Sequence, residues 1–189
     1  LIRRVLILSV DHELDPSAFT VRAAANTGVS PYYAAITGLA SFRGRRISYG
    51  RSEIVTRFLE EVCSARDPAM PVLQRFRQGE ALPGFGSNVH GVIDPRAMSL
   101  MATLSEVFRG DEEFKRLLKA AEVAEEVVQQ PVDFILLLTF VGRKLGLVGQ
   151  EIALAGIGRA IGWLAHASEQ YHHQGLVRPR AKYVGILPD

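Results

Sequence analysis

Cysteine is almost absent from this sequence: Cys63 is the only one, so no intramolecular disulfide can form. A lone cysteine is typical of proteins that work in a reducing compartment, and we expect a cytoplasmic location. Cys63 falls within a run of apolar residues at helical spacing, with no histidine near it in sequence. This pattern favours a small buried hydrophobic side chain over a catalytic nucleophile.

Strong charge of one sign is also lacking. The net charge is +2 over 189 residues, and no run of Lys and Arg is longer than two residues. Nucleic-acid binding needs a basic surface, so we do not expect it of this segment. The apolar run 134–141 is too short to span a membrane, and the apolar stretch at 1–8 is too short for a signal peptide. With 48% hydrophobic residues, the composition predicts a soluble domain, or a domain and a half, with a packed core.

The alternation of apolar and polar residues that is typical of strands is not sustained anywhere, whereas most apolar runs repeat at helical spacing. The spacing predicts an all-α fold. Expected helices cover 16–27, 31–42, 52–65 (capped by Ser52), 68–77 (interrupted at Pro71), 98–108, 114–127, 132–145 and 149–171. The first should carry Phe19, Ala23 and Ala24 on one face. In the last, glycines and alanines should allow close approach of neighbouring helices.

Titratable residues in unusual places are the candidates for function. Asp11, His12 and Glu13 precede a helix start, where they could bind a carboxylate ligand or simply cap and hydrogen-bond. Asp133 lies in an apolar segment, where it could be a general base of raised pKa or an N-cap. Arg159 is surrounded by Gly and Ala, which favours a buried anion ligand over a solvent-facing residue.

The loop 82–88, Leu-Pro-Gly-Phe-Gly-Ser-Asn, contains two glycines that could bring backbone N–H groups close to a ligand, although this signal alone favours an ordinary connection. The tail 178–189 is expected to be extended. We interpret Trp163 as core. His172 and His173 follow the last helix as solvent-facing residues, and they lack a third ligand at metal spacing, so no metal site is predicted.

Five segments, in the same order, together resemble the citrate synthase family. They are 11–22 (D-H-E-L, then Ser17, Phe19 and Arg22), 83–96 (P-G-F-G, then D-P-R), 132–134 (V-D-F), 158–170 (G-R-x-x-G-W-x-A-H-x-x-E-Q) and 178–185 (R-P-R-x-x-Y-x-G). Members of this family condense acetyl-CoA with oxaloacetate, with acetyl-CoA as cosubstrate and no tightly bound cofactor. The resemblance implies a citrate synthase fold, containing part of the large helical domain and the small helical domain.

The resemblance also implies roles for individual residues. Asp133 matches the carboxylate base, and His12, Arg159 and Arg178 match residues that hold the dicarboxylate, Arg178 across the interface of a homodimer. The matches to the CoA-binding region are Leu82, Pro83, Gly84, Phe85, Gly86 and Arg96. By the same resemblance, residues 1–45 are large-domain helices, 46–148 form the small domain with the CoA-binding loop 82–96, and 149–189 return to the large domain.

Two departures from the family pattern concern catalysis. The family's first catalytic histidine is matched by Ser48, or by Ile47 after a one-residue shift, and its second by Ser87, with Asn88 beside it. His90 lies three residues beyond Ser87. The substitutions predict weak condensation activity. Three interpretations remain open: a condensing enzyme with a repaired site, a non-catalytic sensor of a dicarboxylate or CoA ester, and a structural subunit paired with a complete homologue. The sequence has no initiating Met, so a fragment or processed chain is expected, without the family's N-terminal part.

Overall fold

The computed structural model describes residues 1–47, 49–86, 93–147 and 149–185. Within these ranges the chain forms nine α-helices and, apart from one isolated β-bridge between Phe85 and Val132, no strand pairing. The predicted all-α class is confirmed. The helices are α1 (Ile2–Leu8), α2 (Pro16–Asn26), α3 (Pro31–Phe42), α4 (Tyr49–Ser64), α5 (Met70–Gln78), α6 (Pro95–Val107), α7 (Glu112–Val128), α8 (Phe134–Lys144) and α9 (Glu151–Tyr171).

Aspartate side chains fix the starts of three helices. The carboxylate of Asp15 accepts a hydrogen bond from the backbone N–H of Ala18 at 2.8 Å, at the start of α2. Asp94 accepts one from the N–H of Arg96 at 2.9 Å, and Asp111 caps α7 in the same way. A proline follows Asp15 and Asp94 directly, where its fixed φ suits the first helical turn. The caps at Asp15 and Asp94 position the starts of α2 and α6, which border the candidate site.

Two local predictions were wrong, and one helix was missed. Ser52 lies inside α4 rather than at its cap, and Pro71 lies in the first turn of α5, where it interrupts nothing. Helix α1 forms at Ile2–Leu8, where the spacing had not indicated one. Phe19 is 54% exposed, and α2 buries its small residues and Val21 instead.

Helix packing separates into two groups. Helices α1, α2 and α3 pack with α9, whereas α4 to α8 pack mainly on one another. The groups meet where α8 and α4 contact α9 and where α1 contacts α6. The division at 45 and 148 into parts of a large and a small domain stays a prediction.

Close approach to α9 depends on its glycines, as the sequence predicted. A Cβ atom added at Gly158 would lie 2.6 Å from the backbone oxygen of Leu6, and one at Gly162 would collide with the backbone oxygen of Val10. Gly38 on α3 makes room for Trp163, which is buried as predicted. The backbone of α1 and the segment after it can therefore lie directly on α9. Among the described helices, none has both the length and the apolar character to cross a membrane.

Candidate functional site

A cavity of about 590 Å³ lies between the connections that precede α2 and α4, the N-terminal ends of α6 and α8, and one side of α9. Four arginines and three carboxylates line it, together with one histidine: Arg46, Arg51, Arg96, Arg159, Glu13, Asp15, Asp133 and His12. Phe42, Ile47, Phe134, Leu138 and Ile152 are among its apolar lining residues. An apolar cavity with converging guanidinium groups is suited to a small anionic ligand.

Asp133 lies at the N-cap position of α8, but its carboxylate makes no capping hydrogen bond. The residue is only 8% exposed. Arg51 Nη2 lies 3.2 Å from Asp133 Oδ2. Burial raises the pKa of the Asp133 carboxyl, and the positive charge of Arg51 offsets part of that rise. The carboxylate therefore lies on the cavity wall next to a guanidinium, where it could act as a base towards a bound ligand.

Arg159 is 1% exposed, and its guanidinium contacts protein oxygens. Its Nη2 donates to Asp15 Oδ1 at 2.8 Å, and its Nη1 donates to the carbonyl oxygen of Val10 at 3.3 Å. The Nε atom is buried and, among the described residues, has no hydrogen-bond partner. A ligand carboxylate that reached Arg159 would share the guanidinium with Asp15. The predicted buried arginine is confirmed, whereas its binding of a ligand stays a prediction.

His12 and Arg96 lie side by side on the cavity wall. Arg96 Nη1 is 2.6 Å from Nδ1 and 2.5 Å from Nε2 of the imidazole. Burial, followed by the charges of Arg96 and Arg159, lowers the pKa of His12 from 6.5 to about 4. The imidazole is therefore neutral at pH 7 and can accept a hydrogen bond at one ring nitrogen while donating from the other. The proposed contact of His12 with a dicarboxylate is chemically reasonable and stays a prediction.

Arg96, which the resemblance places in the CoA-binding region, is held by Asp94. Its Nε lies 3.0 Å from Asp94 Oδ1 and its Nη2 lies 2.7 Å from Oδ2. The guanidinium also stacks over the ring of Phe134, 5.1 Å from its centroid. Two hydrogen bonds and a ring contact fix Arg96 as part of the cavity wall.

The predicted CoA-binding loop, from Leu82 to Gly86, is not part of the cavity lining. Phe85 is buried and packs edge-on against Phe58. Gly84 has φ +80°, and an added Cβ there would lie 2.7 Å from Leu136 Cβ, so the turn requires glycine. Leu82 is buried, and Pro83, between Leu82 and Gly84, is partly buried. Whether the loop contacts CoA stays a prediction.

Backbone hydrogen bonds tie this loop to the candidate base. The N–H of Asp133 donates to the carbonyl oxygen of Gly84 at 2.8 Å, and the N–H of Gly86 donates to that of Pro131 at 2.9 Å. The loop therefore sets the position of Asp133, although its side chains lie outside the cavity.

Arg178 lies apart from the other predicted residues. It belongs to the extended segment after α9, is exposed, and does not line the cavity. Ser48 and Ser87, which match the catalytic histidines, lie outside the described residues, as do Asn88 and His90. The structure therefore brings together Asp133, His12, Arg159 and Arg96, and leaves Arg178 outside.

Arg22 joins two of the sequence segments on which the resemblance depends. Its Nε donates to His166 Nδ1 at 3.0 Å, its Nη1 donates to Gln170 at 3.4 Å, and its Nη2 forms an ion pair with Glu169. Asp11 Oδ1 lies 2.9 Å from the other ring nitrogen of His166. These polar residues hold α2 and the segment before it against α9, so their role is structural.

Sequence reasoning missed three cavity or neighbouring residues. Arg46 was noted only as part of a basic pair, and Arg51 was not singled out. Glu151 is 1% exposed and accepts hydrogen bonds from the hydroxyl groups of Ser52 and Thr56, the latter at 3.0 Å. A carboxylate at the start of a helix rich in Gly and Ala was the available signal for Glu151. Within the described part of the chain, no three His, Cys, Asp or Glu side chains converge as a metal site.

Comparison with known proteins places the chain in a family. The family model "Citrate synthase, C-terminal domain" matches residues 1–180. Citrate synthase from Haloferax volcanii is 34% identical over 95% of this chain, which spans 48% of that relative's length. The crystal structure of citrate synthase from Thermotoga maritima superposes with a TM-score of 0.79 at 27% identity, covering 97% of this chain and 52% of the other.

A third relative was solved with ligands. Citrate synthase from Thermoplasma acidophilum, in a ternary complex with carboxymethyl coenzyme A and oxaloacetate, superposes with a TM-score of 0.78 at 26% identity, over 98% of this chain and 51% of the other. The chain thus spans about half the length of the citrate synthases it matches. The resemblance seen in the sequence is confirmed: the chain belongs to the citrate synthase family and corresponds to its C-terminal domain.

Proposed function

We propose that the cavity binds a dicarboxylate of the oxaloacetate type beside a CoA ester, and that this is a citrate synthase-type acyltransferase with strongly impaired condensation. The observation that carries the proposal is the convergence of Asp133, His12 and Arg159 on one cavity. The Thermoplasma acidophilum relative supports it, since that protein forms a complex with oxaloacetate and a CoA derivative.

Each residue has a defined role in this proposal. Asp133 is the general base, since its raised pKa favours uptake of a proton from the acyl group. Neutral His12 donates a hydrogen bond to the dicarboxylate, and the guanidinium of Arg159 neutralises one of its carboxylates. Arg178 is exposed and does not line the cavity, and in this proposal it contributes to the site of a second subunit. The proposed assembly is a homodimer in the cytoplasm.

The missing imidazoles limit the rate. Ser48 and Ser87 replace the two histidines of the family pattern, and a serine hydroxyl is a poor substitute for a general acid that stabilises an enolate. Removal of one oxyanion donor costs about 2.7–4 kcal/mol of barrier, or about 100- to 1000-fold in rate. Two such losses leave ligand binding as the dominant property, and the chain then acts as a sensor of a dicarboxylate or CoA ester.

Two measurements on the purified protein separate enzyme from sensor. The first follows thiol release from acetyl-CoA with and without oxaloacetate, and the second is calorimetry with oxaloacetate and with CoA. We expect heat of binding with oxaloacetate and turnover at least about 100-fold below the median enzyme rate of about 10 s⁻¹. Turnover near that median would refute impairment. No heat with either compound would refute the sensor.

An apolar surface favours a second candidate function, that of a structural subunit. Ile36 on α3 and Ile157 on α9 are exposed and line a cavity of about 690 Å³ between the two helices. Tyr32 and Tyr33 on α3 and Ile161 on α9 are exposed as well. Contiguous exposed apolar residues mark protein interfaces. Sedimentation of the chain alone, and mixed with a full-length homologue, tests this candidate. A monomer in both samples would refute both the homodimer and the structural subunit.

A further inference from the structure

Arg51 differs from Arg159 and Arg96 in how it is held. Arg159 is anchored by Asp15 and is 1% exposed, and Arg96 makes a two-bond contact with Asp94. The side chain of Arg51 is 58% exposed and makes one ion pair, through Nη2, with Asp133. Because the guanidinium is largely in solvent and makes a single contact, it can exchange its partner at low cost.

The backbone that carries Arg51 is nevertheless fixed. Ser52, the next residue on α4, and Thr56, one turn further on, both hydrogen-bond the buried carboxylate of Glu151 at the start of α9. Helix α9 also carries Arg159 on the cavity wall. The backbone at the start of α4 therefore has a fixed position relative to the cavity, and only the Arg51 side chain needs to move when a ligand enters.

We infer that Arg51 is a specificity-determining residue. Its guanidinium moves from Asp133 to a carboxylate of the ligand, and so selects 2-oxo acids with a second carboxylate over monocarboxylates. The inference rests on the proposed function and adds a residue that is not among those the family pattern matches. A dicarboxylate can satisfy both Arg159 and Arg51, whereas a monocarboxylate of the pyruvate type leaves one of the two ion pairs unmade.

Movement of Arg51 from Asp133 to a ligand also changes the pKa of the Asp133 carboxyl. Arg51 is the main group that lowers the pKa of Asp133 against the effect of burial. The other charged groups near this carboxyl are Asp94, which raises its pKa, and Arg96, which lowers it. When Arg51 turns to a ligand, Asp133 loses its counter-charge, and its affinity for protons rises. A dicarboxylate that draws Arg51 away therefore makes Asp133 a stronger base.

The test is calorimetry with oxaloacetate and with pyruvate. The proteins compared are the wild-type chain, Arg51→Ala, Arg51→Lys and Arg57→Ala. Arg57 is the matched control, since it lies on the same helix, is exposed and does not line the cavity. We expect the preference for oxaloacetate to fall about tenfold in Arg51→Ala, as for loss of a partly screened ion pair. Arg51→Lys should keep part of the preference for oxaloacetate, and Arg57→Ala should keep all of it.

Rescue by the conservative variant provides the second readout. Arg51→Lys keeps the positive charge and should restore part of the preference, a result that a merely structural role of Arg51 would not produce. An unchanged preference in Arg51→Ala would overturn the inference and leave the proposed function intact. Failure of the wild-type chain to bind oxaloacetate at all would overturn both.

Discussion

Acidification is expected to destabilise the folded chain through His12. The pKa of this imidazole is lowered to about 4 by burial and by neighbouring arginines, whereas an unfolded chain has the ordinary value of 6.5. Because the folded-state pKa is the lower one, the stability associated with neutral His12 is fully present above about pH 6.5 and is lost as the pH falls towards about 4. At about pH 5 the unfolded state holds almost a full proton that the folded state has not bound. This difference lowers the free energy of unfolding by about 2 kcal/mol relative to its value above about pH 6.5.

The assay is urea unfolding followed by circular dichroism at about pH 8 and about pH 5. The free energy of unfolding of the wild-type chain should fall by about 2 kcal/mol more than that of His12→Gln, which has no group that titrates in this window. His173→Gln is the control, because His173 is exposed beyond the end of α9. It should follow the wild-type chain.

Other titrating groups act elsewhere or with opposite sign. Asp133 has a raised pKa in the folded state, so its protonation favours the folded chain as the pH falls. Carboxyl groups with a lowered pKa, such as Asp111 beside Lys144, lose their contribution only below about pH 4. The difference between wild type and His12→Gln therefore isolates the imidazole. Equal pH dependence in the two proteins would refute burial of a neutral His12 against Arg96.

Three further substitutions test the fold and the base. Gly158→Ala places a methyl group 2.6 Å from the backbone oxygen of Leu6, so the free energy of unfolding in urea should fall by about 1–3 kcal/mol. Gly175→Ala, whose methyl group meets nothing within 4 Å, is the control. Glu151→Ala removes the acceptor of two hydroxyl groups on α4 and should cost about 1–3 kcal/mol in the same assay; a value near zero would contradict its role in holding α4. Asp133→Asn should lower any thiol release by at least about 100-fold while calorimetry shows oxaloacetate binding within a few-fold; equal turnover would exclude Asp133 as the base.

Local signals explain which helices could be predicted from the sequence. The starts of α2 and α7 depend on Asp15 and Asp111, whose capping hydrogen bonds connect residues three positions apart. Helix α1 has no side-chain cap, and its seven residues are held by contact with α9, so no local signal was present. The exposure of Phe19 could not be predicted, because α2 packs on its neighbours through small residues and Val21, which an apolar pattern does not reveal.

The candidate site was predictable where residue type alone was informative. A carboxylate in an apolar segment and an arginine among glycines pointed to Asp133 and Arg159, and both line the same cavity. Arg51 could not be found in this way. Its contact with Asp133 spans 82 positions in sequence, and an arginine on a polar helix face has no distinguishing pattern. Long-range pairing of this kind becomes visible only when the helices are placed together.

The bridge between Phe85 and Val132 makes the glycine-containing turn and the carboxylate after it mechanically one unit. Two backbone hydrogen bonds leave little freedom for one segment to slide without the other. A substitution that displaced the turn would therefore also displace the backbone of Asp133, although the turn lies outside the cavity lining.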